Sequence, residues 1–325
     1  MGFLDLAIGN ILSPVVLFFL LGAIAALAKS DLAIPDAVAK ALALYLMMSI
    51  GLKGGIEVAR QGVTPTLVWA ILAGAALSFL LPVLAFWLLR VATRLDGLNA
   101  AAVAAHYGSI SAVTLAAALD VLARVNLAPE GYMVAVAAVM ETPAIICALL
   151  LARRASPKVE TVSTGELLRE ASLNGSVVTL VGSFFIGWIV GPAGLKPVAP
   201  LFIDMFRGLL CIFLLDMGLV AGRGLARARK YLDFRLIAFA IAMPLISGAI
   251  AAGLGFGLGL STGGVMLFIT LAASASYIAA PAAMRVALPQ AEPAIYLTLS
   301  LGVTFPFNLT IGLPLYLMVA QTLRP

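Results

Sequence analysis

Long stretches without a charged residue alternate with short polar segments along the chain. The windows 6–28, 61–89, 97–119, 171–195, 236–284 and 293–323 contain no Asp, Glu, Lys or Arg. A membrane-spanning helix needs about 20 apolar residues, so the longest window is long enough for two helices. With the less clean segments included, the pattern predicts ten spans, numbered in chain order: 10–28, 36–53, 65–90, 98–122, 131–152, 170–191, 200–222, 234–259, 264–288 and 293–321.

The composition excludes the common soluble classes of protein. Of the 325 residues, 63% are hydrophobic and 11% are charged, whereas about a quarter of the residues in a soluble domain are charged. A soluble core of this size could not bury so much apolar surface, which excludes a soluble enzyme, a nucleic-acid-binding domain and a disordered chain. We therefore expect an all-α polytopic membrane protein that is not an enzyme and holds no cofactor.

The basic residues predict how the chain is oriented. Fourteen of the 20 Lys and Arg residues fall in the loops after spans 1, 3, 5, 7 and 9 or in the span ends next to those loops, and six fall on the opposite side. Cytoplasmic loops carry the excess of Lys and Arg, so the fourteen are expected in the cytoplasm. The chain then lies in a bacterial inner (plasma) membrane with both termini outside.

The two halves of the chain resemble each other weakly but in the same order. Residues 49–52 match 216–219, residues 109–111 match 274–276, and residues 141–143 match 304–306, at offsets of 167, 165 and 163. Five spans per half is an odd number, so the second half must enter the membrane from the opposite side, as in many secondary transporters. We expect a first repeat at 1–155, a cytoplasmic linker at 156–169 and an inverted second repeat at 170–325.

Matching interruptions in spans 4 and 9 predict a substrate site. Each span carries a Ser-x-Ser element, and a helix broken there would present free backbone N–H groups that bind small anions. The alternative is that small residues only allow close packing of helices. The predicted substrate-binding residues are Gly108, Ser109, Ser111, Ser274, Ala275, Ser276 and Tyr277.

Glu141 is the clearest candidate for coupling transport to a cation. It lies deep in span 5, where an ionisable residue costs about 2.5–3.5 kcal/mol and needs a reason to be present. A carboxylate there suits Na⁺ or a proton, while the alternative is a structural Glu paired with another helix. Thr142, Thr304 and Asn308 supply further oxygen atoms on spans 5 and 10 as candidate cation ligands.

Three other positions in the spans carry ionisable side chains. His106, the only histidine, could carry a proton or could be a packed neutral imidazole. Asp120 is expected near Arg124 at the end of span 4. Asp216 could bind an ion or could form a structural pair, for which Lys53 is a candidate partner.

Several stretches together make the sequence similar to a known family. These stretches are 50–55, 107–119, 206–210, 271–285, 311–315 and 320–323. With them, the chain resembles the sodium-dependent bicarbonate symporter family over nearly its whole length. Relative to that family it looks divergent: the linker is short, Tyr277 stands in place of an acidic residue, and Glu141 stands in place of Asp.

The resemblance implies an architecture and a set of partners. It implies a ten-helix fold with two five-helix repeats, a gate domain of spans 1, 2, 6 and 7, and a core domain of spans 3–5 and 8–10. Spans 4 and 9 would cross at the substrate site. It also implies Na⁺ as the coupling ion, a homotrimer, and a PII-like regulatory protein on the cytoplasmic face.

The favoured function is a secondary active transporter that imports a small anion, with bicarbonate as the first choice, by Na⁺ symport through alternating access. Two alternatives are an organic-anion symporter and a proton-coupled carrier of related fold. A channel is less favoured, because inverted repeats of this kind are used for alternating access.

Overall fold

The computed structural model describes residues 3–62, 64–155, 169, 173, 175–228 and 233–323, and these residues form helices and connecting loops with no strand. The helices are α1 (Phe3–Ile11), α2 (Pro14–Leu27), α3 (Asp36–Gln61), α4 (Pro65–Ala92), α5 (Gly97–His106), α6 (Ala112–Arg124), α7 (Met133–Val139), α8 (Thr142–Ala155), α9 (Gly175–Leu195), α10 (Phe206–Ala228), α11 (Phe234–Gly257), α12 (Thr262–Ala273), α13 (Ala279–Ala287) and α14 (Pro293–Leu323). The last of these contains wide π-helical turns at Thr298–Thr304 and Asn308–Gly312.

Several helices begin where the local sequence dictates. Ser13 caps α2 by accepting a hydrogen bond from the Val16 N–H, and Thr64 caps α4 in the same way. In both helices proline is the first residue, where its missing N–H costs nothing. The start at Ser13 also leaves α1 bent by 60° from α2.

With α7 and α8 counted together, the described residues contain seven helical segments long and apolar enough to cross a membrane, or eight if α1 and α2 also count as one span. The chain is therefore a membrane protein with an all-helical fold, as predicted. The predicted spans that fall outside this count are 4 and 9, because each is divided into two helices too short to cross a membrane. Span 4 consists of α5 and α6, and span 9 consists of α12 and α13.

Two pairs of helices pack with their backbones unusually close. Helix α3 packs along α9, and α2 packs along α10. A Cβ atom on Gly51 of α3 would collide with the Leu180 carbonyl of α9, and one on Gly218 of α10 would collide with the Phe19 carbonyl of α2. Small residues at such seams let membrane helices approach and gain dispersion energy. Gly51 and Gly218 are positions that correspond in the two halves of the sequence.

The other helices pack as a second group. Helices α4, α5 and α8 contact one another, and α11, α12 and α14 do the same. The two sets are joined at two helix starts. The Glu130 carboxylate accepts a hydrogen bond from the Ser261 N–H at 2.6 Å, and the Asn99 side-chain carbonyl accepts one from the Glu292 N–H at 2.7 Å. Ser261 and Glu292 are the N-cap residues of α12 and α14.

Part of the predicted topology lies outside the described residues. This applies to the linker 156–169 apart from Arg169, and to the basic residues Arg229, Lys230 and Arg324. The assignment of loops and termini to the two sides of the membrane stays a prediction.

Candidate substrate cavity

The first interruption lies between α5 and α6. Helix α5 ends at His106, and α6 begins at Ala112 with Ser111 as its N-cap. The Ser111 hydroxyl oxygen accepts a hydrogen bond from the Thr114 N–H at 3.2 Å. This bond satisfies one of the backbone N–H groups that a helix start leaves without a partner.

The second interruption lies between α12 and α13. The Ser276 hydroxyl oxygen accepts a hydrogen bond from the Ala280 N–H in the first turn of α13, at 3.2 Å. At the other side of the break, the Asn308 side-chain amide donates to the Ala273 carbonyl at 2.8 Å. The free ends of both half-helices therefore find polar partners inside the protein.

The two interruptions are bonded to each other. The Ser111 N–H donates to the Ser274 hydroxyl oxygen at 2.9 Å, across 163 positions of sequence. The Ser276 N–H donates to the His106 carbonyl at 2.8 Å. The Ser-x-Ser elements predicted to correspond are thus in direct contact.

A third interruption carries the buried carboxylate. Glu141 lies between α7 and α8 and is 5% exposed. The Ser109 hydroxyl donates to Glu141 Oε2 at 2.7 Å, which joins this break to the first one. The break itself is held by Ser78 of α4, which donates to the Met140 carbonyl at 2.6 Å and accepts from the Ala144 N–H at 3.2 Å.

A cavity of about 390 Å³, including its open mouth, lies where these interruptions meet. Its polar lining comes from Ser111, Glu141, Ser276 and Tyr277. The starts of α6 and α13 also reach it. The remaining lining is apolar and comes from α3, α10 and the two breaks: Ala43, Leu46, Met47, Ile110, Ala112, Val113, Phe213, Ile278 and Ala279.

The four serines differ in how their hydroxyl protons are used. Ser109 donates to Glu141, and Ser274 donates to the Leu271 carbonyl at 2.9 Å. Ser111 and Ser276 accept hydrogen bonds from helix N–H groups but donate to no described residue. A serine hydroxyl can do both at once, so the cavity serines keep a donor available for a bound molecule.

Two predicted cation ligands are engaged elsewhere and do not line the cavity. The Thr304 hydroxyl donates to the Ala240 carbonyl at 2.7 Å and accepts from the Tyr107 hydroxyl at 2.8 Å. The Asn308 carbonyl oxygen accepts from the Tyr316 hydroxyl at 2.6 Å. Also outside the cavity lining are Gly108, Ser109, Thr142, Ser274 and Ala275.

His106 is fully buried behind the first break. Its Nδ1 lies 2.7 Å from the Ala102 carbonyl oxygen, and its ring stacks on Tyr296 with centroids 4.6 Å apart. Since a carbonyl can only accept, Nδ1 carries the proton. Nε2 has no hydrogen-bond partner among the described residues. The ring does not line the cavity, and its role as a proton carrier stays a prediction.

Asp120 forms an ion-pair cluster at the end of α6. It lies 3.2 Å from Arg124, as predicted, and 3.0 Å from Arg207 of α10. The pairing of Lys53 with Asp216, considered as one possibility, does not form. The Lys53 ammonium lies instead over the Phe206 ring, 4.5 Å from its centroid, where a cation is attracted to the electron-rich face.

Sequence reasoning missed Ser78 and Tyr107. Ser78 precedes Pro82 by four residues, and a proline inside a helix leaves that carbonyl without its usual N–H partner. This spacing could have indicated that α4 has polar groups near Ser78 that need partners on a neighbouring helix. The partner of Tyr107 is Thr304, 197 positions away, and no local pattern marks such a contact.

Apolar spanning helices around a small cavity where broken helices meet are typical of membrane transport proteins. The model of the Na⁺-dependent bicarbonate transporter superfamily matches residues 14–321 of the chain, so the protein belongs to this family. The family confirms the resemblance read from the sequence, and Na⁺ is the coupling ion that fits it. No curated protein matches the chain.

Proposed function

We propose that the protein imports bicarbonate together with Na⁺ by alternating access. The observation that carries the proposal is the cavity itself. Two helix starts, two serine hydroxyls with unused protons and one buried carboxylate meet at this cavity. Family membership supports both the anion and the cation.

The anion would bind at the starts of α6 and α13. Each helix start concentrates partial positive charge from its unpaired N–H groups, so it attracts an anion without a basic side chain. The Ser111 and Ser276 hydroxyls would donate to the anion oxygens. Arg and Lys are absent from the lining, so this attraction is moderate and allows release.

The cation would bind at Glu141. Its carboxylate is buried and its Oε2 is held by Ser109, so an ionised Glu141 needs a counter-charge. Na⁺ prefers oxygen ligands and would offset that cost. A cation beside the carboxylate would also attract the anion in a site of low dielectric constant. We expect the two to bind cooperatively, with a coupling of about 1–3 kcal/mol.

The architecture that supports alternating access is two five-span repeats of opposite orientation. Spans 4 and 9 would cross at the cavity, spans 1, 2, 6 and 7 would form a gate domain, and the other spans a core domain. The close packing of α3 along α9 and of α2 along α10 supports this division. So do the corresponding close-packed glycines Gly51 and Gly218.

Four further expectations rest on the family resemblance or on the Lys and Arg distribution. They are a homotrimer, a PII-like regulator on the cytoplasmic face, an inner-membrane location and termini on the outside. The molar mass of the purified protein in detergent would test the assembly. Labelling of single cysteines in the loops from outside intact cells would test the topology.

Proton coupling is a second candidate, and Glu141 is the observation that favours it. A buried carboxylate bonded to one serine could carry a proton between the two sides as well as hold Na⁺. Uptake driven by a pH gradient without Na⁺ would then replace uptake driven by Na⁺.

Purified protein in proteoliposomes separates these possibilities. We expect saturable uptake of labelled bicarbonate when Na⁺ is outside, and none above empty liposomes when K⁺ replaces Na⁺. Uptake that is equal in both salts but follows the pH gradient would establish proton coupling. Uptake that never saturates would indicate a channel and would contradict the proposal.

A further inference from the structure

Tyr277 is a buried tyrosine whose hydroxyl makes no well-formed hydrogen bond to any residue that the structure describes. The residue lines the cavity, two positions before α13 begins, and is 8% exposed. Its hydroxyl lies beside the Ser111 side chain, yet it makes no hydrogen bond of good geometry to any described residue. A buried polar atom without a partner is rare and costly, so it needs an explanation.

Three other buried tyrosines in the described part of the chain satisfy their hydroxyls. Tyr107 donates to Thr304, Tyr316 donates to Asn308 at 2.6 Å, and Tyr45 donates to the Leu201 carbonyl at 2.5 Å. The fold can thus supply partners for buried phenols. At Tyr277 it supplies none, although the residue lines a cavity whose other polar members are Ser111, Glu141 and Ser276.

The ring of Tyr277 is held in place. It packs edge-on against Phe305 of α14, with centroids 5.3 Å apart and planes at 65°. The Ser276 N–H, one residue earlier, is bonded to the His106 carbonyl. A hydroxyl on a ring fixed in this way is positioned before a ligand arrives, which reduces the entropy that binding must remove.

We infer that Tyr277 is a direct ligand of the transported anion and that it makes the site select oxyanions with three acceptor oxygens. The inference rests on the proposed function. Ser111, Ser276 and Tyr277 are the cavity hydroxyls with protons to donate. Three donors around one small space match the three oxygens of a planar ion such as bicarbonate. An ion with two oxygens, such as formate, would leave one of the three hydroxyls without an acceptor.

The test compares Tyr277→Phe with Tyr107→Phe in proteoliposomes. Tyr277→Phe keeps the ring and removes a hydroxyl that bonds to nothing in the protein, so we expect the melting temperature to be unchanged. The KM for bicarbonate should rise about tenfold, as for the loss of one hydrogen bond to a charged ligand. The KM for Na⁺ at saturating bicarbonate should stay the same. Tyr107→Phe removes a bonded hydroxyl away from the cavity, so it should lower the melting temperature and leave the KM for bicarbonate unchanged.

Competition by formate supplies a second readout. In the unmodified protein, unlabelled formate should inhibit the uptake of labelled bicarbonate about tenfold more weakly than unlabelled bicarbonate does. The reason is that formate cannot use the third donor. In Tyr277→Phe that difference should largely disappear. A purely structural role of the tyrosine would lower the amount of active protein without changing this ratio.

The outcomes separate this inference from the proposed function. An unchanged KM and an unchanged formate ratio in Tyr277→Phe would overturn the role of Tyr277 and leave bicarbonate transport standing. If the protein instead transports another oxyanion and Tyr277→Phe raises the KM for that ion, the choice of bicarbonate fails and the role of Tyr277 is supported.

Discussion

Glu141 and Thr304 occupy corresponding positions in the two halves of the chain but do different work. Glu141 lies at a break in the helix, lines the cavity and receives a hydrogen bond from Ser109. Thr304 lies in a continuous but widened helix, away from the cavity, and bonds to the Ala240 carbonyl and the Tyr107 hydroxyl. One half thus supplies a charge to the cavity, while the other supplies only neutral groups.

The supporting contacts explain how this asymmetry arises. In the first half, the polar side chain at the seam between the third and fifth spans is Ser78 on α4, which reaches the Met140 carbonyl. In the second half it is Thr304 on α14, which reaches the Ala240 carbonyl on α11. Both halves therefore have a polar contact between these two spans. The donor lies on the third span in the first half, and on the tenth span, the counterpart of the fifth, in the second half. Because Ser78 makes the bond between these two spans in the first half, Glu141 does not have to make it and can line the cavity.

The largest expected effect comes from Glu141→Gln compared with Thr304→Val. Gln keeps the size and the acceptor for Ser109 but removes the charge, so uptake should lose its dependence on Na⁺ and fall by about a hundredfold at saturating Na⁺. Thr304→Val should lower the melting temperature and keep the Na⁺ dependence of the unmodified protein. Uptake measured against Na⁺ concentration and pH, per folded protein, checks both.

The comparison fails if the two Na⁺ curves of Glu141→Gln and the unmodified protein differ only by a scale factor. Glu141 would then be structural, and its position in the cavity would have no bearing on coupling.

The two seam residues are expected to stabilise the fold by similar amounts. Ser78→Ala leaves the Met140 carbonyl and the Ala144 N–H buried without partners, and Thr304→Val does the same to the Ala240 carbonyl and the Tyr107 hydroxyl. Each unsatisfied buried group costs about 1–3 kcal/mol. Thermal unfolding in detergent should show both variants melting several degrees lower. A seam variant that melts like the unmodified protein would show that the bonds are dispensable there.

A smaller effect should distinguish Ser276, which lines the cavity, from Ser274, which does not. Ser276→Ala removes a hydroxyl that faces the cavity, so the KM for bicarbonate should rise about tenfold. Ser274→Ala removes the acceptor of the Ser111 N–H, so it should act mainly on the melting temperature. Equal effects of the two changes on the KM would contradict the assignment of Ser276 to the cavity and Ser274 to the scaffold.

The smallest expected effect concerns the caps of the two broken spans. Asp96 caps α5, and Ser261 caps α12. Burial acts to raise the pKa of Asp96, but hydrogen bonds from the Asn99 side chain and from the Asn99 and Leu98 N–H groups outweigh it and lower the pKa. A lowered pKa in the folded state means that the contribution of Asp96 is complete above about pH 4, its ordinary value, and is lost as the pH falls through the lower folded value.

We therefore expect Asp96→Ala to cost about 0.5–1 kcal/mol at pH 7, since this cap is exposed to solvent, and nothing in strong acid. Ser261→Ala should cost a similar amount at every pH. Melting curves of the three proteins from pH 7 down to pH 3 check this, and a pH-independent cost at Asp96 would contradict it.

The sequence predicted the helices well where proline and capping residues mark their ends. Span 3 was predicted at 65–90 and is Pro65–Ala92, and span 8 was predicted at 234–259 and is Phe234–Gly257. Span 2 was predicted at 36–53, ending at Lys53. In the structure α3 continues to Gln61, since the Lys53 ammonium rests on the Phe206 ring inside the protein.

The breaks in spans 4 and 9 were also predicted, because the Ser-x-Ser elements recur at a constant offset. The sequence could not show which serine of each pair faces the cavity. That depends on contacts such as Ser111 with Ser274, which form only when distant spans meet. The same reason hid the engagement of Thr304 and Asn308 with carbonyls of other spans.

The bonds at Glu130 and Asn99 have a consequence for the order in which the chain is built. In both, the first half supplies the accepting side chain and the second half supplies the N–H of an N-cap residue. The first half leaves the ribosome before these N–H groups exist, and its acceptors wait for them at the starts of α12 and α14. We therefore expect the first half to act as a template on which the later helices are set, with the cavity between them among the last parts of the molecule to form.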